Sequence, residues 1–313
     1  MGKFDLDRYI KAQERDYSTA LAEIKAGKKQ NIKSSSGIIG FAIGDALGVP
    51  AEFKSREELE LHPIIDMIGD GTYNVPAGTW SDDTSMTLAT MDSIISTNAI
   101  DTNNMASNFL NWFRNAEYTA TNETFDIGRT TLQSLAKFEL KVCDASSCGE
   151  SDEYSNGNGS LMRILPVAYY IYYKDITDNQ EIYNIVKRVS SITHAHEVSI
   201  LGCYIYVKFV LELLDGKEKI EAYENSTLEA TMWLFLNSND YNETVLKAVN
   251  LGEDTDTVSA CTGGLLGLYY GIENIKDKWK QELKKYDNII EICDKFDKIQ
   301  CTTNDKTLHD QLY

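Results

Sequence analysis

Positive charge is scarce in this chain. Thirty Lys and Arg stand against 48 Asp and Glu in 313 residues, a net charge of −18. Nucleic-acid binding rests on a basic surface that releases counterions, so a phosphate-backbone partner is excluded, although a single local phosphate site is not. Cysteine pairs are missing as well. Cys143, Cys148, Cys203, Cys261, Cys293 and Cys301 contain no CxxC spacing and no dense framework; in a chain of this length they read as reduced thiols of a cytosolic protein, with no role assigned. Long apolar runs are absent too. The opening MGKFDLDRYIKAQERDY has no apolar signal core, and later runs are broken by Lys208 or by glycines, so a soluble cytoplasmic protein without a membrane partner is expected. Strict apolar–polar alternation is rare while helical spacing recurs throughout, which predicts an all-α fold. His194 and His196 stand two residues apart and do not share a helical face, which argues against a histidine metal pair.

What the sequence does contain is oxygen. In LKAVNLGEDTDTVSACTGGLLGLYYG, Leu246 to Gly271, the carboxylates Asp254 and Asp256 and the hydroxyl of Thr257 sit where a polar loop passes into a helical pattern. Such a junction reads either as a helix cap, with Asp254 or Thr255 capping and Asp256 complementing the positive helix end, or as a set of ligands for a hard divalent cation. A second junction of the same kind favours the ligands. GTWSDDTSMTLATMDSII, Gly78 to Ile95, places Ser81, Asp82, Asp83 and Thr84 before another amphipathic run. Two acidic helix starts are what a two-metal site draws on, because neighbouring carboxylates repel unless a cation lies between them.

The remaining stretches fill in the plan. Residues 1–33 form a helical appendage, with Tyr17, Ala20, Leu21 and Ile24 at helical spacing and a polar linker after them; residues 34–313 form the main domain. In SGIIGFAIGDALGVPAEF, Ser36 is the expected N-cap. Gly40, Gly44 and Gly48 recur every four residues, so one helical face is bare and a neighbouring helix can approach its backbone. Glu52 follows Pro50 and reads as a surface acid or as an oxygen ligand or general base. In NETFDIGRTTLQSLAKF, Asp126 reads most simply as a cap. Cys143 to Ser160 is a long polar loop ending in Gly157, Asn158, Gly159 and Ser160, ahead of a helix expected from Leu161. Its N–H groups suit either a phosphate, with Arg163 as countercharge, or a tight turn. Near the C-terminus, Trp279, Leu283, Tyr286 and Ile290 share one expected helical face.

Taken in order from about Ser36 to about Ile299, GIIGFAIGDALGVPAEF, GTWSDDTSMTLA, FDIG, GNGSLMRILPVA, TH and NLGEDTDTVSACTGGLLGLYYG resemble the ADP-ribosylglycohydrolases. The resemblance implies a compact single-domain orthogonal helical bundle with two divalent cations, magnesium or manganese, at the bottom of a cleft. It implies Ser81, Asp82 and Asp83 on one side of the metals and Asp254, Asp256 and Thr257 on the other. By the same resemblance Glu52, Asp83 and Asp126 are the catalytic carboxylates, Gly128 completes the DIG motif near the scissile bond, Asn158, Gly159, Ser160 and Met162 hold the diphosphate, and His194 lines the ribose pocket. The implied substrate is an ADP-ribosylated protein, with arginine the first choice of acceptor and serine the alternative. The N-terminal extension resembles that of immunity members, which implies a cognate ADP-ribosylating toxin as a second partner.

Overall fold

A computed structural model describes residues 32–219 and 230–299. The appendage helix expected around Tyr17 to Ile24 lies outside the described residues. Within them the chain forms α1 (Ser34–Gly48), α2 (Arg56–Leu61), α3 (Asp82–Thr97), α4 (Thr102–Asn115), α5 (Arg129–Glu139), α6 (Leu165–Tyr173), α7 (Asn179–Ser190), α8 (Glu197–Leu214), α9 (Ala230–Leu236), α10 (Tyr241–Val249), α11 (Thr255–Tyr270), α12 (Asp277–Glu282) and α13 (Tyr286–Asp297). Extended pairing among the described residues is limited to isolated bridges, Asp70 with Val75 and Glu150 with His194. The all-α expectation holds. No described helix is long and apolar enough to cross a membrane.

The centre of the fold is the antiparallel pair α1 and α11. A Cβ added at Gly40 would stand 2.4 Å from the Gly263 carbonyl oxygen, one at Gly44 2.0 Å from that of Ser259, and one at Gly48 2.4 Å from the Asp256 Cα. The approach is reciprocal, since a Cβ at Gly263 would stand 2.3 Å from the Gly40 carbonyl oxygen. Backbones this close let side chains of one helix reach carbonyls of the other. Ser259 Oγ donates to Gly44 O at 2.8 Å and Thr255 Oγ1 to Gly48 O at 2.9 Å, while Tyr241 OH of the neighbouring α10 donates to Gly40 O at 2.7 Å. The geometry fixes what happens at one end of the pair: as α1 finishes, α11 begins, and Glu52 leaves the first where Asp254 and Asp256 enter the second.

Some local expectations are corrected. α1 starts at Ser34, whose N–H donates to the Asp297 carboxylate, so Ser36 is inside the helix and not its cap. The face expected from Trp279 to Ile290 belongs to two helices, because Lys285 takes a left-handed φ of 48° between α12 and α13; Trp279 and Leu283 are buried, and α13 buries Ile289, Cys293 and Phe296 instead. Cys143 and Cys148 are joined as a disulfide, their Cα atoms 5.6 Å apart across the short 3-10 turn Ala145–Ser147. The expectation of six thiols fails there because the turn brings the pair within bonding reach. Cys203, Cys261 and Cys293 are buried free thiols.

Candidate active site

Six chain segments converge on one cavity of about 300 Å³, lined by six carboxylates, those of Glu52, Asp82, Asp83, Asp126, Asp254 and Asp256. The first segment is the exit from α1. A 3-10 turn, Val49–Ala51, carries Pro50 where no N–H is needed and delivers Glu52 in extended conformation. Glu52 is only 5% exposed, which settles its two readings in favour of the interior.

The second segment is the start of α3. Ser81 caps it, its Oγ accepting from the Asp83 N–H at 3.2 Å. Asp45 of α1 supplies a further cap from across the fold: Oδ1 accepts from the Ser81 N–H at 2.9 Å, and Oδ2 accepts from the Thr84 N–H at 3.0 Å and its hydroxyl at 2.6 Å. These bonds use three donors at the helix start and hold Asp82 and Asp83 inward. Burial raises the Asp45 carboxyl to about 6. Ser81 itself is buried at this helix start.

The start of α11 is the third segment. Asp256 is 2% exposed. Thr257 Oγ1 donates to Asp83 Oδ1 at 3.3 Å and so ties the two acidic helix starts together. Exposed Asp254 accepts from the Asn158 side-chain amide, which comes from the fourth segment. Carboxylate oxygens of Asp82, Asp83 and Asp256 lie within 4.8 Å of one another, and so do those of Glu52, Asp126 and Asp256; Asp256 is common to both groups. Glu52 Oε2, Asp83 Oδ2 and Asp256 Oδ1 are buried without a hydrogen-bond partner. Burial, and then the charge of the neighbouring carboxylates, raises Asp82, Asp83 and Asp256 well above the usual carboxylate range and Glu52 to about 8. Unpartnered buried oxygens and mutually repelling acids are costly alone and are relieved by a hard cation, so this donor set fits divalent metal.

Asp126 is not a cap. It takes a left-handed φ of 57° and accepts from Tyr73 OH at 2.7 Å, while the N-cap position of α5 is Gly128, which has no side chain to cap with. The turn and the tyrosine aim the carboxylate into the cavity beside Glu52. Gly128, Arg129, Thr130 and Thr131 at the start of α5 line the wall with it, and Arg129 is the cation among the described lining residues.

The fourth segment is the glycine turn. Gly157, Asn158, Gly159 and Met162 line the cavity with His194. A Cβ at Gly159 would stand 2.6 Å from His194 Cε1, so only glycine lets the loop lie on the ring. Ser160 is buried behind it, 2.9 Å from Ser190 Oγ. The helix expected from Leu161 is a 3-10 turn, Leu161–Arg163, followed by α6 at Leu165 with Pro166 in its first turn. Arg163 is no countercharge in the cavity. It is fully buried, packs over the Phe109 ring at 4.8 Å, and donates to Val189 O at 3.2 Å and to Thr193 Oγ1 at 2.7 Å. Thr193 Oγ1, in turn, lies 2.8 Å from His194 Nδ1. A threonine proton directed at Nδ1 would place the ring hydrogen on Nε2, the nitrogen nearer the glycine turn. Burial, aided by the Arg163 charge, lowers His194 to about 4, so the ring is neutral near pH 7.

Several contributors escaped the sequence reading, among them Asp45, Tyr73, Thr193 and the lining residues Phe53, Arg129, Thr130 and Thr131. Asp45 had one legible signal, being the single charge in SSSGIIGFAIGDALG. The others act through tertiary placement that no local pattern encodes.

A helical body that gathers acidic helix starts around one cleft, opposite a glycine turn, is of the acidic, cation-fitting class. A family model, ADP-ribosylglycohydrolase, matches residues 33–228 and 222–306. The chain belongs to the ADP-ribosylglycohydrolase family. It is 29% identical over 293 residues to the ADP-ribosylarginine hydrolase Tri1 of Serratia proteamaculans (strain 568), covering 82% of this chain and 76% of that one. It is 24% identical over 284 residues to the ADP-ribosyl-[dinitrogen reductase] glycohydrolase of Rhodospirillum rubrum, covering 82% and 92%. Its fold matches a solved ADP-ribosylglycohydrolase-related protein complex with a TM-score of 0.72 at 23% identity, over 88% of this chain and 99% of that one.

Proposed function

We propose that this protein hydrolyses the N-glycosidic bond between ADP-ribose and a modified arginine side chain. The observation that carries the reading is the meeting of two acidic helix starts, with three buried carboxylate oxygens lacking partners, in a chain whose relatives include arginine-type hydrolases. Asp82, Asp83, Asp254, Asp256 and Thr257 would hold two divalent cations, magnesium or manganese, and Ser81 serves by fixing the amide of Asp83. Such cations supply Lewis acidity toward oxygen.

The chain's own residues divide the rest of the work. Glu52, buried beside Asp126, is placed to exchange a proton with the leaving nitrogen. Asp126, oriented by Tyr73, accepts from the guanidinium N–H groups. The surrounding carboxylates favour the positive charge that develops on the sugar as the bond breaks. Backbone N–H groups of the turn containing Asn158 and Gly159, with Gly128 and Arg129 at the start of α5, receive the diphosphate; Met162 and neutral His194 bound the ribose, His194 as an Nε2–H donor.

Release of ADP-ribose from arginine-modified and serine-modified proteins tests the reading, with magnesium, with manganese and with a chelator, for wild type and Asp256→Ala. Release from arginine alone, lost with the chelator and in Asp256→Ala, is expected. Release from serine alone moves the acceptor; release unaffected by chelation removes the cations from the reaction.

A further inference from the structure

Phe53 follows Glu52 directly and is 66% exposed. Of the large apolar side chains exposed among the described residues, it alone lines the carboxylate cavity. Its backbone is left-handed, φ 64°, a region that bulky L-residues rarely adopt and that costs about 1–3 kcal/mol. Two hydrogen bonds hold it there: Phe53 N–H donates to Glu253 O at 2.8 Å, and Glu253 N–H donates to Lys54 O at 2.9 Å. Glu253 is itself left-handed, φ 65°, and a Cβ at the preceding Gly252 would stand 2.8 Å from the Arg56 nitrogen. The loop after α1 and the loop before α11 are thus locked to each other, and the lock presents an aromatic ring to solvent at the rim of an acidic site.

Neither core packing nor a cap explains an exposed ring in strained backbone. Its neighbours suggest what it meets. Glu52 adjoins it in sequence, Asp254 adjoins its partner Glu253, and Asp126 stands beside Glu52. This side of the cavity repels phosphate and attracts a cation, whereas the glycine turn, Arg129 and His194 suit the anionic end of a nucleotide. A flat cation beside a ring and carboxylates gains from both, the ring face drawing its charge and the carboxylates accepting its N–H groups.

We infer that Phe53 is a specificity-determining residue: its ring stacks on the guanidinium of the arginine from which ADP-ribose is released. The inference rests on the arginine reading proposed above. Loss of such a contact corresponds to about a 3- to 30-fold fall in kcat/KM.

The test compares wild type, Phe53→Ala, Phe53→Leu and Phe53→Trp in two measurements, kcat/KM on an arginine-ADP-ribosylated protein and the Kd of free ADP-ribose by calorimetry. Phe53→Ala and Phe53→Leu are expected to lose kcat/KM with the ADP-ribose Kd unchanged, and Phe53→Trp to retain it. Leucine separates a flat ring from mere apolar bulk. An equal weakening of ADP-ribose binding in Phe53→Ala would assign the ring to the nucleotide and overturn the inference; so would unchanged kcat/KM. Wild type inactive on arginine but active on serine would instead remove the arginine reading, and this inference with it.

Discussion

Single residues here owe their roles to bonds made from elsewhere. Asp126 sits where its sequence suggests a cap, yet a left-handed turn and the Tyr73 hydroxyl make it part of the cavity; no local pattern states that conformation. Arg163, next to the glycine turn in sequence, acts from behind the wall. If the Arg163–Thr193–His194 relay sets the histidine tautomer, removing the middle hydroxyl should be felt at the cavity. Thr193→Val is expected to weaken ADP-ribose binding and to release the ring from its single tautomer, read in the His194 ring nitrogen shifts by NMR. Thr193→Ser, which keeps the oxygen, should preserve both. Because Arg163 also loses a buried acceptor in the valine variant, a stability loss of about 1–3 kcal/mol should accompany it.

Helices were the most legible level. The glycine spacing of α1 announced a bare face, and its partner proved to be α11, whose own Gly263 and Gly267 return the approach. Acidic starts were likewise readable at α3 and α11, because oxygen-rich junctions stand out against apolar helices. Less legible were breaks set by single backbone angles, such as Lys285 between α12 and α13, and the 3-10 turn that delays α6 to Leu165. Two glycines in helices make opposite predictions. Gly44→Ala would place a methyl 2.0 Å from the Ser259 carbonyl oxygen and is expected to cost about 3 kcal/mol or more. Gly202→Ala in α8, where nothing lies within 4 Å, is expected to stabilise by about 0.5–1 kcal/mol. Chemical denaturation of the two variants checks both signs.

For the molecule as a whole, the acidic cavity makes stability depend on pH and on metal together. Folding raises Glu52 from 4.5 to about 8 and Asp45 from 3.8 to about 6. A carboxyl whose folded pKa lies above its unfolded value stabilises fully below the unfolded value, and that stabilisation is lost as pH rises through the folded one. His194 works in the other direction: lowered from 6.5 to about 4, it removes stability as pH falls through that interval. As pH rises past 6.5 the unfolded histidine loses its proton too, so the change that remains toward pH 8 belongs to the carboxylates. In a chelator, Tm is expected to fall from pH 6.5 toward 8, and magnesium or manganese should restore it. A flat profile, or one indifferent to metal, would contradict the assignment of the cavity as a cation site.

The antiparallel pair has a consequence in time. Its hydrogen bonds join residues 207 and 215 positions apart, from Thr255 to Gly48 and from Ser259 to Gly44. At ordinary translation rates of about 5–20 residues per second, the glycine face of α1 waits on the order of 10–40 s for the helix that covers it. Through most of that interval the nascent chain carries α1 without the helix that covers its glycine face, and Glu52 and Asp45 have only the first of the two acidic helix starts, that of α3, beside them. The cavity is closed only when α11 arrives, so a chain stopped before it lacks Asp254, Asp256 and Thr257.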